Sequence, residues 1–141
     1  NGDPVSGSQT NSIEYITMST LGNGSDFGDL TEARMGGGGA SNAVRGIFGG
    51  GYVSGQPRQN SIDFVTIASQ GDAQDFGDLT VARGESFAGM CSPIRGVFGS
   101  GQPKTTDMDY ISIQTTGNAI DFGDTTQYMN RGGSSNGHGG L

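Results

Sequence analysis

The segment NSIEYITMSTLGNGSDFGDLTEAR, Asn11 to Arg34, returns as NSIDFVTIASQGDAQDFGDLTVAR, Asn60 to Arg83, and again in looser form as TDMDYISIQTTGNAIDFGDTTQYM, Thr106 to Met129. Successive copies start 49 and 46 residues apart. A second element recurs between them, RGIFGGGY at Arg45 to Tyr52 and RGVFGSGQ at Arg95 to Gln102. Two elements at one period define a unit, and a unit too small to bury its own apolar face must stack on its neighbours. Residues 1–141 therefore read as a single repeat domain with units at approximately 1–49, 50–99 and 100–141.

Local chemistry makes the unit a set of strands. In Ile13-Glu14-Tyr15-Ile16-Thr17-Met18 and Ile62-Asp63-Phe64-Val65-Thr66-Ile67, β-branched and aromatic residues crowd a short run with neither face wholly polar, which predicts a strand covered on both faces. Gly-rich stretches at Leu21 to Ser25 and Gln70 to Gln74 predict turns, after which DFGDLT enters a second extended segment. Met35 to Asn42 and Ser86 to Ser92, rich in Gly, Ser and Ala, lead into the short apolar RGIFG and RGVFG strands. The expected class is all-β, with four antiparallel strands per unit. Composition agrees: 28 glycines without a Gly-X-Y period favour turn-rich β structure over collagen, and a hydrophobic fraction of 31% implies a thin, distributed core.

Charge and punctuation exclude several classes. Fourteen acidic against seven basic residues give a net charge of −7, which repels nucleic-acid phosphates and anionic membrane surfaces. No apolar run is long enough to span a bilayer, and no signal peptide is visible at Asn1-Gly2-Asp3-Pro4. The single cysteine, Cys91, cannot form an internal disulfide.

Short strands repeating every forty to fifty residues without helical periodicity resemble propeller blades, and the order of residues resembles a Kelch unit. Gly49-Gly50-Gly51 follow Ile47-Phe48, Phe64 and Tyr110 stand near the Kelch tyrosine position, Phe76 near the aromatic one and Arg83 near the arginine, with phenylalanine where such units usually carry tryptophan. The chain is most similar to divergent Kelch-like repeats of marine bacteriophage (cyanophage-type) structural proteins. That resemblance implies a β-propeller with about three four-stranded antiparallel blades per chain. Alignment of the repeats puts Asn1-Gly2 on Gly50-Gly51 and Gly140-Leu141 where a further RGIF strand would begin. The ring is thus expected to be completed by another chain or by missing upstream repeats. The implied role is non-enzymatic: a virion or extracellular surface component, such as a tail fibre, tail tip or decoration protein, acting in adhesion or assembly. Its implied partners are protein, through self-association or neighbouring virion proteins, with glycan as a further candidate; nucleic acid and membrane insertion are not expected. A lectin-like propeller and a fragment of a propeller enzyme with its catalytic residues in other repeats are the alternatives.

Chemistry-bearing residues fit this frame. DFGD at Asp26, Phe27 and Asp29, at Asp75, Phe76 and Asp78, and at Asp121, Phe122 and Asp124 shares a triplet with kinases, but no nucleotide loop or HRD accompanies it and a catalytic aspartate is not repeated three times. The carboxylates could offer oxygens to calcium. In an extended segment, however, residues three apart point to opposite faces, so turn carboxylates accepting backbone N–H bonds are expected instead. Glu14, Asp63 and Asp109 also recur once per unit. Recurrent Arg34 and Arg83, with Arg45 and Arg95, suit structural pins between units rather than an anion-binding ring. His138 and Cys91 form no dyad and no zinc site; no catalytic, cofactor-binding or metal-binding residue is assigned. Recognition is expected in the variable loops, with Tyr52, Gln56, Arg58, Gln102 and Lys104 as candidate surface residues.

Overall fold

The computed structural model describes residues 9–84, 88–128 and 133. These residues form ten strands and no helix. β1 (Thr10–Tyr15) and β2 (Ser25–Arg34) pair as a two-stranded first sheet. β3 (Gly38–Ser41), β4 (Arg45–Tyr52), β5 (Arg58–Thr66) and β6 (Gln74–Asp78) form the second, in chain order. β7 (Ala88–Cys91), β8 (Arg95–Gly99), β9 (Asp107–Ser112) and β10 (Ile120–Asp124) repeat that order in the third. Every pairing is antiparallel. Each four-stranded sheet thus begins in the Gly-rich segment of one sequence unit and ends in the DFGD of the next.

The second sheet shows why this sequence makes strands. Ile62, Asp63, Phe64 and Val65 are all buried along β5, so both faces of that strand are covered, as β-branched and aromatic side chains favour. The first sheet differs. β1 ends at Tyr15, short of the expected Met18, and only Ile13 along it is buried. Pairing explains the difference: β5 reaches Thr66 because Arg45 of β4 lies opposite it, whereas the β5–β6 ladder itself stops at Phe64 opposite Gln74. Among the described residues β1 has only the second kind of partner, and its ladder stops at the equivalent Tyr15 opposite Ser25.

The core lies between sheets. Ile47, Ile62, Phe64 and Phe76 of the second sheet cluster with Phe98 and Ile111 of the third. Val65 and Ala73 of the second cluster with Ile13 of the first, flanked by Phe27, Leu30 and Phe48. Apolar burial, the main favourable term in folding, is therefore shared across unit boundaries, and the low apolar fraction is spread over two such layers. His138, the expected further strand at Gly140-Leu141, the register of Asn1-Gly2, Ser86 and the final Met129 of the third copy lie outside the described residues.

Candidate functional site

The residues that recur most faithfully assemble into a joint between consecutive sheets, built the same way twice. Its backbone half starts from a β-bulge in DFGD. Ile62 pairs with Gly77 and Asp63 with Asp75, so the ladder skips Phe76. The ladder skips Phe27 between Gly28 and Asp26, and Phe122 between Gly123 and Asp121, in the same way. A bulged residue drops out of the ladder and the strand bends, which turns its carbonyl toward the next sheet. There Phe27 O accepts the N–H of Gly71 at 2.8 Å and Asp29 O that of Ala73 at 2.7 Å. One period later Phe76 O accepts from Gly117 at 2.7 Å and Asp78 O from Ala119 at 2.8 Å. The donation is reciprocal: Asp29 N–H donates to Asp72 Oδ1 and Asp78 N–H to Asn118 Oδ1, both at 3.1 Å.

Glycine permits this approach. Gly28 and Gly77 hold φ of 149° and 142°, which side chains rarely adopt. A Cβ on Gly77 would lie 2.5 Å from Gly117 O, and one on Gly28 would overlap Gly71 O.

A side-chain half sits beside it. Arg34 Nη2 at the end of β2 donates to Asp63 Oδ2 in β5 at 2.8 Å, and Arg83 Nη2 to Asp109 Oδ2 in β9 at 2.9 Å. Asp63 also accepts the hydroxyl of Thr31 at 2.8 Å, and Asp109 accepts that of Thr80. Arg34 donates further to Phe48 O at 3.3 Å, and Arg83 Nη1 to Asp107 O at 2.7 Å. Burial lowers the Arg34 guanidinium from its ordinary value, opposed by the negative charges of Asp63 and Glu32. Charge-assisted bonds of this geometry fix Asp63 and Asp109 in register with the arginines. Arg45 adds a third contact: its guanidinium lies 4.6 Å from the Phe64 ring centroid and donates to Ile113 O of the next sheet at 2.9 Å. Arg95 repeats the stacking over Tyr110 at 4.6 Å.

Of the DFGD carboxylates expected to accept backbone N–H bonds in turns, Asp121 does so, and other aspartates make the bonds between sheets. Asp121 Oδ1 accepts the N–H of Gly123 locally at 2.9 Å, while the bonds between sheets fall to Asp63, Asp109 and Asp72. Asp72 was not singled out by its sequence context; its place one residue after the turn glycine, matched by Asn118, was the available signal. No group of three His, Cys, Asp or Glu able to hold a metal occurs among the described residues.

The candidate recognition residues lie on the β4–β5 and β8–β9 connections. Tyr52 and Arg58 face each other across the β4–β5 ladder, and Gln56 is exposed in the turn between them. Gln102 and Lys104 converge on one ring: Gln102 Nε2 donates to Tyr128 Oη at 2.8 Å, and Lys104 Nζ lies 5.5 Å from the ring centroid. Tyr128 was not among the residues expected to take part in recognition. No protein-family model matches the chain, and no curated protein matches it.

Proposed function

We propose that this chain is a non-enzymatic structural and interaction module whose sheets are blades of a Kelch-like β-propeller, with the ring completed by another chain or further repeats. It works by presenting the β4–β5 and β8–β9 loops on a virion or other extracellular surface, in adhesion or assembly. The observation that carries the reading is that the once-per-unit residues, DFGD, the arginine and the β5 or β9 aspartate, are spent on holding one sheet to the next. Repeat architectures place scaffold in the repeated positions and recognition in the variable ones. Immunogold electron microscopy of particles from the source would place the chain on a tail or capsid surface; label confined to free cytosolic protein would overturn this.

The lectin-like alternative draws on the Gln102, Lys104 and Tyr128 cluster, an aromatic ring flanked by polar groups. A glycan array should then show binding that Tyr128→Ala abolishes. Silence across a broad array removes that alternative.

A further inference from the structure

The joint has two halves, and each is also present in an open form among the described residues. The first sheet carries the donor half: Gly22, Asn23 and Gly24 stand in the places of Gly71, Asp72 and Ala73 and of Gly117, Asn118 and Ala119. The third sheet carries the acceptor half: Phe122, Gly123 and Asp124 keep the same bulge, and a Cβ on Gly123 would meet nothing within 4 Å where those on Gly28 and Gly77 meet a carbonyl. Side chains around both halves lack the cover that their equivalents have. Ile16 is 64% exposed where Val65 is 6% and Ile111 2%, and Phe122 is 47% exposed where Phe76 is 2%.

We propose that these halves mate between two copies of this chain, head to tail: Phe122 O and Asp124 O of one copy accept the N–H groups of Gly22 and Gly24 of the next, and Asp124 N–H donates to Asn23 Oδ1. The occupant is a second copy because the same surface pair is joined twice within the chain by the same residue types and the same bonds. The interface is heterologous, since each copy offers different halves at its two ends. Such contacts generate closed rings when the rotation closes, and filaments otherwise. The inference rests on reading the sheets as stacked repeats. The joint between chains is expected to be weaker than those within, because by sequence Met129 stands where the joined units carry Arg34 and Arg83.

Sedimentation velocity of the 141-residue chain across a concentration series tests this. The wild-type chain is expected to associate reversibly. Ile16→Glu blocks the donor half and Phe122→Glu the acceptor half; both positions are exposed, so both variants should keep the β-sheet circular dichroism and sediment as monomers. Mixing the two variants should yield a heterodimer and nothing larger, because one free acceptor meets one free donor. Met129→Arg should tighten association about tenfold, the effect of one charge-assisted bond. A folded wild-type chain that stays monomeric, variants that still associate alone, or a mixture that stays monomeric overturns the mating while leaving the interaction module standing. Loss of β-sheet signal from the wild-type chain itself overturns both.

Discussion

Phe76 and Phe122 occupy the same place in the repeat, inside the same DFGD and the same bulge, yet one is 2% exposed and the other 47%. Leu79, beside the first, is 3% exposed, and Thr125 stands in its place beside the second. The same contrast appears between β8 and β4, where Phe98 is fully buried against Gly49 and Phe48 is only half-buried. Local sequence sets the bulge and the direction of the carbonyl. Burial, and with it the energy, comes from whichever sheet lies across the joint. A residue of this protein therefore matters in proportion to whether a neighbouring sheet covers it, and paired substitutions at equivalent positions measure that directly.

The largest expected effect comes from the covered ring. Phe76→Ala should destabilise the chain by about 3–5 kcal/mol, the usual loss for a buried aromatic, while Phe122→Ala should cost under about 1 kcal/mol, as at exposed positions. Urea denaturation of both variants in dilute solution is the check, and equal losses would break the comparison. Arg83→Met should cost a similar 3–5 kcal/mol or so by leaving Asp109 buried without its partner. Replacing both, Arg83→Met with Asp109→Leu, should restore much of that loss, because an apolar pair of similar volume removes the stranded charge.

Gly77→Ala and Gly123→Ala separate backbone strain from the joint itself. Both positions hold a positive φ, but only at Gly77 does the added methyl meet the carbonyl of Gly117. Melting curves should show Gly77→Ala costing roughly 1–3 kcal/mol more, the range for overpacking. Asn118→Ala is the mildest: it removes one exposed bond to Asp78 N–H and should cost about 0.5–1 kcal/mol.

Much of this was readable in the sequence, and the missing parts share a cause. Repetition and strand chemistry point to antiparallel sheets without helices, and the recurrence of Arg34, Arg83, Asp63 and Asp109 marks a task performed once per unit. What that task joins was hidden, because Phe27 and Gly71, or Arg34 and Asp63, lie in different copies, and repetition does not say which copies touch. The bulge was readable only from the glycine in DFGD, since an isolated glycine inside a strand pattern signals a bulge or a close approach. The early end of β1 was hidden for a different reason: Ile16 to Met18 have the composition of a strand, but strand length here follows the partner. Among the loop residues, the meeting of Gln102 and Lys104 on Tyr128 depends on a return of the chain that no local pattern encodes.

Amide hydrogen exchange at the three turn glycines bears most directly on the stacking of sheet on sheet. In the dilute chain, Gly71 and Gly117 N–H groups, bonded to Phe27 O and Phe76 O, should be strongly protected, while the N–H of Gly22 at the open half-joint exchanges close to the unstructured rate. Exchange at Gly71 and Gly117 as fast as at Gly22 would contradict the account.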